Sequence, residues 1–399
     1  MSSRNPYFGR ASYSMRHISA HTWLGRVDRV SLLRVVFDEL PHADVVSVEL
    51  HLIGGSAGGR GGAADSVERV SDAIVSGRPW LDAAGKPIHA HGGGLLYEDG
   101  VYYWYGENKE RTTGRDGVWH WGVRCYASGD LVRWDDLGLI IPPDLDDPAS
   151  PLHPRQLLDR PHVVVNAETG KYVCWLRVST RAGRPQRLVV LIADRLLGPY
   201  ELVQPGVRPL GMDAGDFDIV VDPGDGKAYC YFERVHRELI CADLDADYTG
   251  FTGYYSTHFP HPGPPQVREA PAYFARGGRH FLITSGTTWY FPNRSQLAVA
   301  DTYHGPWTVL GDPHRGDPSG TSFQSQVSSV FAHPDSHELY IVLADRWLPD
   351  LPGGNHDLGD DYRGDPDTSR ASYVWLPLRF DEDTPYLEWR DQWRVDDHA

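Results

Sequence analysis

The chain has 399 residues, 41% hydrophobic and 23% charged, with 42 Gly and 30 Pro; this composition can build a core and excludes collagen-like and wholly disordered chains. Its formal charge of −16 leaves no net basic character for nucleic acid or an anionic membrane. Aromatics are unusually dense, with 13 Trp, 21 Tyr and 12 Phe, and an acidic, aromatic-rich surface suits neutral polyhydroxylated ligands.

Residues 1–75 carry as many basic as acidic side chains, so the whole excess of negative charge belongs to residues 76–399. The N-terminal stretch reads as a poorly structured extension, distinct from a domain over 76–399. Within it, Val30 to Phe37 has helical character, Val45 to Ile53 reads as a strand, and Gly54 to Gly62 as a flexible linker. No apolar export segment opens the chain, which predicts a cytoplasmic protein unless its true start lies elsewhere. No run of 18 apolar residues is present to cross a membrane as a helix. The four cysteines, Cys125, Cys174, Cys230 and Cys241, lie in or beside apolar runs without paired spacing, so buried free thiols are expected.

From residue 76 a pattern repeats five times. A turn rich in Gly and Asp joins two apolar, aromatic-rich strands, at 97–105, 166–175, 222–231, 276–283 and 333–342. Such turns supply the positive φ that hairpins need. Between these hairpins lie outer ones: Ala127 to Trp134, Ala193 to Tyr200, Ala242 to Tyr248 and Ala300 to Trp307, with Leu376 to Trp389 in the last repeat. Two hairpins per unit and five units predict an all-β fold, a five-bladed β-propeller.

Inner strands of a propeller converge on a central channel. About ten residues ahead of each inner turn stands one polar side chain: His91, Asp159, Asp216, Glu269 and Gln326. Five in register predict one site. The returning strands bring Glu107, Arg177, Glu233, Ser285 and Asp345 to the same face. Trp104, Trp119, Trp121, Trp175, Trp289 and Trp347 lie near it in sequence, and indole faces stack on sugar rings. Carboxylates gathered across a polar channel are what glycosidic hydrolysis needs, because crowding keeps one of them protonated to donate to the leaving oxygen. His89 and His91 share a strand face but lack a third ligand at metal spacing, so no cofactor is expected.

The segments Ile88-His-Ala-His-Gly-Gly-Gly94, Tyr103-Trp-Tyr-Gly-Glu-Asn-Lys109, Arg160-Pro-His-Val-Val-Val-Asn166, Arg268-Glu-Ala-Pro-Ala272, Thr284-Ser-Gly-Thr-Thr-Trp289, Ser325-Gln326, Asp345-Arg-Trp347 and Tyr373-Val-Trp-Leu-Pro-Leu378 resemble the family 43 glycoside hydrolases, most closely their exo-β-1,3-galactanase branch. The resemblance spans about residues 79–379. It implies that Glu269 is the general acid, that Asp216 tunes and orients it, and that Gln326 positions or activates the water of an inverting reaction. It further implies that Glu107 and Asp159 bind substrate; His91, Glu233, Trp289 and Asp345 join them by their place in the rings. Asp159 departs from the more usual Glu, and Gly215 from the usual Arg. The implied partner is an oligo- or polysaccharide, and a monomer is expected. Some members of the family hold a cation in the central channel. The rival readings are the same fold acting on xylosides or arabinofuranosides, and a sugar-binding propeller without turnover.

Overall fold

A computed structural model describes residues 72–398 except 113–116, 181–184, 337 and 352–366, together with the backbone of three strands nearer the N-terminus. The chain divides into two compact units, Met1–Arg69 and Val70–Ala399. In the first unit β1 (Ala20–Val27), β2 (Val30–Phe37) and β3 (Ser47–Glu49) form an antiparallel sheet in that order. Strand β2 corrects the expected helix. Its Val30, Val35 and Val36 are β-branched, which disfavours a helix and suits a strand. Strand β3 falls inside the predicted segment 45–53, whereas the Gly-rich linker lies outside the described residues.

The second unit is an all-β propeller. After β4 (Ile74–Val75) come four four-stranded antiparallel sheets. The first holds β5 (His91–Glu98), β6 (Val101–Glu107), β7 (Val123–Ser128) and β8 (Asp135–Ile141). The second holds β9 (Leu157–Asn166), β10 (Lys171–Ser179), β11 (Gln186–Ala193) and β12 (Glu201–Val207). In the third are β13 (Ala214–Val221), β14 (Ala228–Arg234), β15 (Glu238–Leu244) and β16 (Phe251–His258). The fourth contains β17 (Arg268–Arg276), β18 (Arg279–Gly286), β19 (Gln296–Ala300) and β20 (Thr308–Gly311). Every predicted hairpin of these four units is present.

Among the described residues this unit has six sheets of three or more strands, six blades rather than the expected five. The last predicted unit is divided between two three-stranded sheets. One holds β22 (Gln326–Ala332), β23 (Tyr340–Arg346) and β24 (Ser372–Pro377). The other sets β26 (Thr384–Glu388) between β25 (Arg379–Asp381) and β21 (His314–Arg315), the last in parallel. Pro377 ends β24, and a residue without an N–H cannot carry the ladder on. The short β27 (Gln392–Trp393) returns to pair with β4.

The turns are set by local chemistry. Asp99-Gly100 and Gly277-Gly278 each close a two-residue hairpin loop with both residues at positive φ, the type I′ geometry whose twist matches the strands. Between sheets lie apolar seams. Trp104 and Trp175, expected at the mouth, are buried in these seams instead. Trp104 packs edge-on against Trp375 and Tyr373 with ring centres at 4.7 and 4.6 Å. Trp175 sits in the seam between the second and third sheets and donates its indole N–H to Tyr248 O at 2.9 Å. All four cysteines are free and buried.

Inner strands β5, β9, β13, β17 and β22 begin at or within two residues of the five polar positions singled out by spacing. Each has a register irregularity there: at His91/Gly94, opposite Asp159 and His162, at Ala214/Phe217, at Glu269/Ala272 and at Val327/Ser329. Bulges of this kind re-aim side chains and release them from strict alternation. Arg160 and Ala270, at φ 56° and 49°, show the backbone cost of doing so at two of them.

Candidate active site

Seven of the nine expected site residues line one cavity at the channel mouth: Glu107, Asp159, Asp216, Glu233, Glu269, Trp289 and Gln326. His91 and Asp345 do not. His91 is fully buried, with Nδ1 3.0 Å from Asp345 Oδ1, while Gly92 N donates to Asp345 Oδ2 at 2.9 Å. This pair ties β5 to β23, joining the start of the ring to its end. Trp347 and Arg177 are in the lining as their place near the mouth suggested; Arg160, His236 and Tyr290 also line it.

Arg160 is the hub. It is 3% exposed. Its Nη2 donates to Gln326 Oε1 at 2.7 Å and lies 3.1 Å from Asp216 Oδ2. Its Nη1 donates to Val327 O at 2.9 Å, and its backbone N to Glu107 Oε1 at 2.9 Å. On a regular strand, neighbours 159 and 160 face opposite ways; the bulge and positive φ bring both to the site.

Gln326 is saturated. Its Oε1 also accepts from Trp347 Nε1 at 3.0 Å, and its Nε2 donates to Ser285 Oγ at 2.9 Å and to Glu269 Oε1 at 3.3 Å. An amide oxygen has two lone pairs, and both are taken. Gln326 therefore orients Glu269 and has no acceptor left for a water's proton.

Glu269 is 9% exposed. Its neighbour Arg268 does not pair with it; that guanidinium donates to Thr284 Oγ1 and to the Thr284 carbonyl at 3.0 and 2.8 Å. Burial pushes the Glu269 carboxyl well above the usual range, and the charges of Asp216 and Glu233 push it further, against Arg160 and Arg177. Both causes favour the protonated form, the one that can donate a proton.

The other carboxylates have fixed partners. Asp159 pairs with Arg177 and accepts from Trp119 Nε1 at 2.9 Å and Tyr290 Oη at 3.3 Å. Burial raises its pKa, but Arg177 and Lys109 outweigh this and hold it below the ordinary value. Glu107 is 2.7 Å from the buried Lys109 ammonium, which lies 4.5 Å over the Trp119 ring. Burial lifts Glu107 to about 7; Lys109 opposes this and Asp159 adds to it. Glu233 Oε1 accepts from His236 N at 2.6 Å. Its Oε2 occupies the space where a Cβ at position 215 would stand, so Gly215 makes room for this carboxylate.

A buried carboxyl biased toward its protonated form among further carboxylates, in an aromatic-edged cavity on a propeller, is the arrangement of a glycoside hydrolase. Comparison with known proteins gives the family. The profile of glycosyl hydrolases family 43 matches residues 94–359, and the chain belongs to that family. Among solved structures it is similar to a family 43 β-1,3-galactosidase, at 29% identity and TM-score 0.70 over 82% of this chain. The match spans 64% of that relative's length. A second β-1,3-galactosidase, solved with galactodeoxynojirimycin, matches at 28% identity and TM-score 0.69, over 81% of this chain and 100% of its own. An exo-β-1,3-galactanase from Phanerochaete chrysosporium, solved with β-1,3-galactotriose, matches at 27% identity and TM-score 0.69, over 81% and 68%. No curated protein sequence matches the chain.

Proposed function

We propose that this hydrolase removes galactose from the ends of β-1,3-galactan chains with inversion. The observation that carries the reading is the seating of Glu269, buried, pushed upward in pKa and hydrogen-bonded to Gln326. Glu269 gives its proton to the glycosidic oxygen as the bond to the anomeric carbon breaks. Asp216, with Glu233 beside it, keeps that proton available. Water bonds to the anomeric carbon from the opposite face and loses a proton to a cavity carboxylate, for which Glu107 and Asp159 are the candidates. Gln326 fixes the geometry. Trp289, 40% exposed at the edge, offers a face to a sugar ring, and Glu107, Asp159 and Glu233 take its hydroxyls. The β-1,3-galactosidase and galactanase neighbours support the substrate class.

The test is product analysis by NMR on β-1,3-galactan, xylan and arabinan. Galactose appearing first as the α-anomer, from galactan alone, is the expected result. Release of xylose or arabinose instead, or of β-galactose first, overturns the reading.

A further inference from the structure

Beside the active-site cavity lies a second cleft of about 590 Å³, within the range of small-ligand sites. One wall is the turn from β14 to β15 and the other is the connection from β16 to β17. Strand directions put both on the face that carries the active site, since β14 and β16 run toward it and β17 starts from it. His236 lines both spaces, so the cleft opens off the cavity across one side chain. The walls are built to a fixed spacing: His261 N donates to Arg237 O across them at 2.9 Å, and Arg237 N to Arg234 O within the turn at 2.9 Å. Pro260 and Pro262 stiffen the far wall.

The lining is basic in a chain of net charge −16. It presents Arg234, His236, Arg237 and His261 against one carboxylate, Glu238. Glu238 is taken by Arg234 at 2.8 Å, and His236 by Glu233 at 3.2 Å. Arg237 is exposed and has no carboxylate partner among the described residues. A guanidinium presents a planar fork of donors that fits the paired oxygens of a carboxylate or sulfate. A neutral sugar gives it no charge to meet.

We propose that this cleft receives an acidic sugar unit, uronate or sulfated, on the leaving side of the saccharide cut at Glu269. The proposal rests on the galactan-hydrolysing reading of the cavity and adds a preference for charge in the leaving portion. It is tested with β-1,3-galactobiosides whose leaving unit is neutral, uronate-bearing or sulfated. The wild type is expected to cleave an anionic substrate with kcat/KM about tenfold above the neutral one at low salt, an advantage that shrinks as salt is added. Whichever anionic arm shows it identifies the group. Arg237→Ala should bring the ratio near one and leave neutral turnover unchanged, while Arg237→Lys keeps part of the preference. Equal rates on all three substrates, or a preference surviving in Arg237→Ala, overturns the proposal. If the neutral galactobioside is not cut, the galactan reading fails by itself. Calorimetric titration with the uronate-bearing and sulfated compounds then decides the cleft: binding weakened about tenfold by Arg237→Ala supports it, and no binding, or binding indifferent to Arg237, refutes it.

Discussion

Replacing Arg160 with Met keeps the volume of the stem and removes the cation that joins the site. Gln326 Oε1 is left with Trp347 alone, Val327 O loses its Arg160 donor, and Asp216 keeps only Arg177, whose Nε is 3.6 Å away. Breaking one side of a buried ion pair costs about 3–5 kcal/mol, and a stranded buried acceptor about 1–3 kcal/mol. These losses share one group and do not add, so roughly 4 kcal/mol is a fair total. At about 2.1 cal/mol/K of unfolding entropy per residue, the Val70–Ala399 unit has roughly 0.7 kcal/mol/K, and Tm should fall by about 6 °C. Calorimetry reads this directly. Kinetics gives a second readout. Burial, Asp216 and Glu233 raise the Glu269 pKa, and Arg160 holds it back. The acid works protonated, so activity is present below its pKa and is lost as pH rises through it. Without Arg160 the basic limb of kcat/KM should move to higher pH, with turnover lower throughout. A Tm within about 1 °C of wild type and an unmoved limb would refute the hub.

Glu233→Gln removes a charge that raises Glu269, so the basic limb should move to lower pH; a shift to higher pH in the kcat/KM profile contradicts the stated electrostatics. Gln326→Ala should cut kcat by about a hundredfold or more, since it frees Glu269 and strands Arg160 and Trp347. If most of the rate survives in steady-state assays, Gln326 does not position the reaction. Trp104→Ala opens a cavity in the seam beside Trp375 and should cost about 3–5 kcal/mol in chemical denaturation, with kcat unchanged at low temperature. A mouth residue would show the reverse.

The hairpins and the site ring were legible because they rest on local signals. Asp99-Gly100 and Gly277-Gly278 dictate turns by their φ, and the polar residues His91, Asp159, Asp216, Glu269 and Gln326 recur at constant distance from those turns. What alternation hid was Arg160. A regular strand would aim it away from the channel, and the local sign of the bulge that turns it inward is Pro161, since proline inside a sheet belongs to edges and bulges. Trp104 and Trp175 were misplaced for a related reason. Closeness in sequence to the mouth says nothing of which face a strand residue takes, and theirs faces the seam between sheets. His91 and Asp345 obey the ring spacing, yet they meet each other because β5 packs against the sheet of β22 and β23 where the ring closes. The sixth sheet needed a partner from far away, since β26 pairs with β21 across about 70 residues. The partnership of Gly215 with Glu233 is equally non-local: the missing side chain is visible in the sequence, but the carboxylate that fills its place is not.

The role of Glu269 is tested most directly by comparing leaving groups. Glu269→Gln and the wild type are assayed on β-1,3-galactobiose, whose alkoxide must be protonated to depart, and on dinitrophenyl β-galactoside, whose phenolate leaves unaided. Loss of about a thousandfold on the disaccharide with near-wild-type cleavage of the aryl glycoside is the predicted result. Equal loss on both substrates, or little loss on either, would contradict Glu269 as the proton donor.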